Sequence, residues 1–192
     1  INTVTLAQAG TYSVVAIVGN CQSAAASTIV VVNPIPVITN ATSDAPRCVG
    51  QSVNLSTPAI SGATFTWTGP NGFTSNDRLA VIPNATTAVS GSYSVTALAN
   101  GCVSAPFNNV VVNVYPVPVV TGAGNSGPVC AGEPINITTP NNPGVVFNWS
   151  GPNSFTSSDQ NPVIPITTVN AAGLYTVTAT ANFCTSAPQT TT

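Results

Sequence analysis

Few side chains in this sequence can do chemistry. Five cysteines stand at 21, 48, 102, 130 and 184, and the charged set is Arg47, Arg78, Asp44, Asp77, Glu133 and Asp159. Lys, His and Met are absent from the 192 residues. Without His, the usual proton shuttle and metal ligand near neutral pH is missing. Without Lys there is no Schiff base, no P-loop phosphate binding and no Lys–Asn isopeptide crosslink. Two cations give no nucleic-acid footprint, and a formal charge of −2 gives no steering field. No pair of cysteines has the close spacing of a zinc site, so disulfides are the leading reading, ahead of buried thiols and metal.

The elements that position these groups come from a repeat. Cys48 and Cys130 stand at an offset of 82, as do Trp67 and Trp149, Tyr93 and Tyr175, and Cys102 and Cys184. Between Pro46 and Phe107, half of the sequence recurs identically at that same offset, without a gap. Part of a third copy opens the chain. Gly10-Thr-Tyr12-Ser-Val14 and Cys21 match Gly91-Ser-Tyr93-Ser-Val95 and Cys102 at an offset of 81. Asn33-Pro34-Ile35-Pro36-Val37 matches Tyr115-Pro116-Val117-Pro118-Val119 at 82. Residues 1–34 therefore read as the trailing part of one repeat, 35–116 as a complete repeat and 117–192 as a nearly complete one. The first residue is Ile1 and no signal peptide is visible, so we read an internal or processed piece of something longer. The first part is too short to bury a core by itself.

Within a repeat the hydrophobic period is two. Val53 and Leu55, Phe65 and Trp67, and Tyr93, Val95 and Ala97 alternate with Ser, Thr and Asn. That pattern predicts antiparallel strands with one buried face. Gly, Pro and Asn separate about seven such strands per repeat, which predicts an all-β fold of tandem Greek-key sandwiches. The apolar runs Ile29–Val32 and Val110–Val112 are far too short to span a bilayer, so no membrane insertion is expected.

The repeat assigns the cysteines. The spacing from Cys48 to Cys102 is the same as that from Cys130 to Cys184. This equality predicts one disulfide per repeat, Cys48–Cys102 and Cys130–Cys184, with the partner of Cys21 upstream of Ile1. Disulfides place the chain in an oxidising compartment.

Other residues are weighed against plainer readings. Trp67 and Trp149 could stack on sugars, but their alternation with polar neighbours on a strand predicts core packing. Tyr12, Tyr93 and Tyr175 read as structural core residues bonding backbone. Gly69-Pro-Asn-Gly-Phe73 is ordinary turn chemistry rather than a recognition loop. Asp77 and Asp159 recur at one position, and even with Asn76 and Asn161 they fall short of a calcium shell. Paired-carboxylate catalysis has no equivalent pair, because Asp44 and Glu133 do not align. We expect no catalytic residue, no metal and no cofactor. Asn40, Asn54, Asn84, Asn136 and Asn148 stand in glycosylation sequons, which an Asn- and Thr-rich chain makes by chance.

A Cys before the second strand, a Trp in the third, Gly-Pro-Asn-x-Phe-Thr-Ser after it, then Gly-x-Tyr-x-Val and Asn-x-Cys resemble tandem immunoglobulin-like and PKD-like repeats. Such repeats fill large secreted surface proteins of Bacteroidota. The resemblance covers the whole chain, and the Trp and Gly-x-Tyr look like the core Trp and tyrosine corner of that fold. One position departs. Val95 stands where antibody-type domains carry their second Cys, two residues after the Tyr.

The expected function is a non-enzymatic stalk or filament region of a bacterial cell-surface adhesin or extracellular fibre. The competing readings are a carbohydrate- or receptor-binding module and an accessory region of a secreted hydrolase. The Pro34-Ile-Pro36 and Pro116-Val-Pro118 links predict a semi-rigid linear rod. The expected partners are neighbouring repeats and identical chains in a fibre.

Overall fold

The computed structural model describes residues 4–192. All regular structure there is strand, apart from five 3₁₀ turns of three residues each. Alternating Val, Thr and aromatic positions produce this, since β-branched side chains pack well on a pleated half-buried surface. Packing groups the chain into two compact units, each of which takes part of the 35–116 repeat.

The first unit comprises the residues up to Ser43 together with Leu55–Ala80 and Ser92–Val111. Strand Ala63–Thr68 pairs antiparallel with Gly91–Ala99, in register Trp67↔Val95 and Phe65↔Ala97. The alternation turns Phe65, Trp67, Tyr93, Val95, Ala97 and Ala99 inward, and all six are buried. The short strand Cys102–Val103 folds back on Gly91–Ala99 as a hairpin, pairing Cys102 with Ala99. Thr42 and Ser43 pair with Ser56 and Leu55. Near the start, Gly10–Val14 pairs antiparallel with Ala26–Val30, and Ile17–Val18 with Cys21–Gln22. No residue from 4 to 34 is buried. These strands have their polar-apolar alternation but no facing sheet among the described residues.

The second unit comprises Asp44–Asn54, Val81–Gly91 and Val112–Thr192. Val146–Gly151 pairs with Phe155–Ser157 on one side and Tyr175–Ala181 on the other. Tyr175–Ala181 also takes Cys184–Thr185 and Gln189–Thr191. A second sheet runs Gly124–Asn125, Ile135–Thr138, Val163–Ile164. Val120, Ile137, Phe147, Trp149, Tyr175, Val177 and Ala179 form its core. One ladder in this unit is parallel. Arg47–Cys48 lies beside Val114–Tyr115, the segment that leads into the Pro116-Val-Pro118 link.

The tight turns follow local chemistry. Asn71 and Asn153 adopt left-handed backbone with φ of 55° and 54°, a region Asn tolerates better than most residues. That geometry sends Phe73 and Phe155 back against the tyrosines, with ring centroids 5.5 Å from Tyr93 and 5.6 Å from Tyr175. The Gly-Pro-Asn loop is thereby fastened to the core in both repeats.

Candidate functional site

Cysteine placement overturns the expected pairing. The structure joins Cys48 to Cys184, with Cα atoms 5.7 Å apart, across a sequence separation of 136. The Cys48–Cys102 and Cys130–Cys184 bonds are absent, and Cys21, Cys102 and Cys130 are free thiols. The reason lies in which linker each cysteine meets. Cys48 is in register with Tyr115, on the strand that leaves the repeat. Cys184 of the next repeat approaches the same residue, its Sγ 3.8 Å from the Tyr115 carbonyl oxygen. Cys102 sits instead against the linker that enters its repeat, 3.7 Å from the carbonyl oxygen of Asn33. Each hairpin cysteine therefore meets the chain that precedes its repeat, and the bond formed ties one repeat to the next.

Backbone bonds hold this junction. Arg47 N–H donates to Asn113 O at 3.0 Å and Val49 N–H to Tyr115 O at 2.9 Å. Val114 N–H donates to Ser90 Oγ at 2.9 Å, and Val112 and Val114 are buried. Beside it lies the chain's charge cluster. Asp44 accepts from Arg47 Nη2 at 2.5 Å, from the Asn54 backbone N–H at 2.9 Å and from the Asn54 amide at 2.6 Å. Burial pushes this carboxyl up, but the Arg47 and Asn54 hydrogen bonds and the Arg47 charge outweigh it and hold the pKa at about 2. The next repeat keeps the geometry without the charge, since Ser126 Oγ accepts from Asn136 N–H at 3.0 Å. A shape shared by both repeats, with a carboxylate in only one, marks a strand clip rather than a proton-transfer site.

The same face of the last repeat is open. A groove of about 500 Å³ is lined by Val129, Ala131, Ile135, Ala172, Gly173 and Tyr175, among others. Val129 and Ala172 lie 82 positions after Arg47 and Ser90, the residues that hold the Asn113–Val114 backbone in the preceding repeat.

Both tryptophans and the tyrosines of the two later repeats are built into the core. Trp67 and Trp149 are fully buried and their indole N–H groups have no hydrogen-bond partner. Tyr93 and Tyr175 are buried, and burial pushes both phenols above their ordinary pKa. Tyr175 Oη donates to the Ala171 carbonyl at 2.7 Å, the tyrosine-corner bond. Tyr12 departs from the expected core position. It makes the same bond, to Gln8 O at 3.0 Å, yet is 43% exposed, because no sheet among the described residues faces its hairpin. Asp77 and Asp159 sit in local turns, with their backbone N–H groups donating to Ser75 and Ser157. Among the described residues no three of His, Cys, Asp and Glu gather as a metal shell, and no helix is long and apolar enough to cross a membrane.

Sequence reasoning missed one element. Ser104 N–H donates to Ala97 O and its hydroxyl accepts from Ala97 N–H, and Ser186 does the same with Ala179. Ser23 and Ala16 repeat the arrangement. The signal was present as the Cys-x-Ser spacing in all three copies. This serine clip fixes the hairpins that carry Cys102 and Cys184 to their linkers.

Two strand layers closing over a buried Trp, with a tyrosine corner on the strand that pairs with it, define an immunoglobulin-like β-sandwich. Solved structures agree at the level of fold. The chain is similar to the I-band fragment I67–I69 of titin, with a TM-score of 0.57 at 14% identity over 97% of this chain and 74% of that one. It is similar also to extracellular domains 3–5 of Drosophila OTK, with a TM-score of 0.54 at 13% identity, covering 98% and 72%. No protein-family model matches the chain, and no curated protein matches it.

Proposed function

We propose that this chain is a non-enzymatic structural stretch of an extracellular protein, a stalk or filament region of a bacterial surface adhesin or fibre. In this reading 1–34, 35–116 and 117–192 are successive immunoglobulin-like repeats. The observation that carries it is the junction. A disulfide and a strand ladder join one repeat to the next. Both tryptophans are buried and offer no platform for a sugar, which weighs against a lectin-like module. The disulfide favours an oxidising, extracellular setting. The two-proline links favour a semi-rigid rod, each repeat adding roughly 35–45 Å from a longest strand of 9 residues plus the link. The origin in a Bacteroidota-type surface protein rests on the repeat pattern alone.

Small-angle scattering tests the reading. A compact globule of this length has a radius of gyration near about 16 Å. A rod of the proposed dimensions has one above about 22 Å, taking strand lengths from the same rise per residue. A value near the globular figure refutes the stalk.

A further inference from the structure

We propose that Cys130 and the groove beside it form the receiving half of a second inter-repeat junction. Its occupant is the last strand of the same repeat, continuing into a further repeat of the same type in the same chain. That further repeat supplies the hairpin cysteine that bonds Cys130. Cys102 is the complementary half, taking the entry cysteine of a preceding repeat. This deepens the stalk reading and rests on it.

The geometry already exists once. Cys48 is bonded to Cys184 beside Tyr115, while Val112 and Val114 are buried along Ser90 and Arg47. Each half recurs on its own. Cys130 stands 82 positions after Cys48, it is exposed and free, and the adjacent groove is lined by Val129 and Ala172. Cys102 stands 82 positions before Cys184. Its Sγ lies 3.7 Å from the carbonyl oxygen 69 residues earlier, matching the 3.8 Å of Cys184 at the same separation. Cys102 is thus already placed as Cys184 is placed in the completed bond.

The segment 30–33 shows the sequence the groove takes. Val30-Val31-Val32-Asn33 aligns with Val112-Asn113-Val114-Tyr115, apolar at the two positions that are buried at the formed junction. The chemistry is ordinary thiol oxidation. Two S–H bonds and the oxidant's S–S bond break, one Sγ–Sγ bond forms, and the two protons end on the oxidant's sulfurs. The two electrons reduce a disulfide oxidant such as oxidised glutathione to two thiols.

The test is a chain extended after Thr192 by a second copy of residues 111–192, oxidised with a glutathione couple and mapped by non-reducing digestion. The proposal expects Cys48–Cys184 intact and Cys130 bonded to the added copy's equivalent of Cys184. The remaining thiols are then Cys21, Cys102 and the added equivalent of Cys130. In the same chain, C130S keeps Cys48–Cys184 and frees one additional hairpin thiol. A Cys130–Cys184 bond, a Cys130 that stays reduced, or Cys130 bonded between separate chains overturns it. Scattering on the unextended chain tests the stalk reading separately, so either can fail alone.

Discussion

Gly151 is a demanding test of how the core is built. It lies at the end of the Trp149 strand, and a Cβ added there would run into the Tyr175 ring. Its φ of −169° is extended backbone that any residue adopts, so Gly151→Ala carries no backbone strain and the cost is purely steric. Tyr175 cannot yield freely. Its hydroxyl is bonded to Ala171 O at 2.7 Å, and Phe155 packs against its ring at 5.6 Å. Moving the ring loses a hydrogen bond of about 1 kcal/mol net and adds overpacking of about 1–3 kcal/mol. The expected cost is about 2–4 kcal/mol, or a fall in melting temperature of roughly 10–20 °C for a domain of this size. Gly122→Ala is the control, because a Cβ there meets nothing. It should stay within about 0.5 kcal/mol. Thermal and urea unfolding followed by Trp fluorescence give both values. If Gly151→Ala and Gly122→Ala unfold alike, the tyrosine corner is not the rigid element described.

Three further outcomes follow from the junction and its clips. C48A should lose up to about 5 kcal/mol in the chain-entropy model for a loop of this length, while C102A should leave unfolding unchanged; denaturant midpoints decide, and equal effects would contradict the bond observed. Ser186→Ala strands the buried Ala179 N–H and should cost about 1–3 kcal/mol, with faster hydrogen exchange at that amide as the specific readout. The Asp44 carboxyl has its folded pKa lowered to about 2 from an ordinary 3.8, so its stabilisation is fully present above about pH 4 and is lost as pH falls through about 2. D44N should flatten that acid limb in pH-dependent unfolding while leaving the neutral-pH fold intact.

The strands were legible because a pleat sends neighbouring side chains to opposite faces, and Phe65, Trp67, Tyr93 and Val95 announce the inner face directly. The tyrosine corner was legible as Gly-x-Tyr. Disulfide connectivity was not, and the reason is translational. In a periodic array, the hairpin cysteine of a repeat has an equivalent one full period further along, and spacing weighs the two alike as partners for Cys48. Only the parallel ladder of Arg47–Cys48 with Val114–Tyr115 chooses between them, and parallel pairing of distant segments leaves no local pattern. Tyr12 misled for a related reason. Its motif encodes the corner bond, whereas burial depends on a facing sheet that the residues around it do not encode.

The bond from Cys48 to Cys184 also decides what happens when the chain is stretched. With tension applied at the two termini, force crosses from Cys48 to Cys184 through sulfur, and everything between them drops out of the extensible path. At about 3.5 Å per residue that withholds roughly 470 Å of contour. Such a segment yields only the slack outside the covalent loop until a reductant cuts it, which makes its reach a property set by redox conditions rather than by the strength of its folded cores.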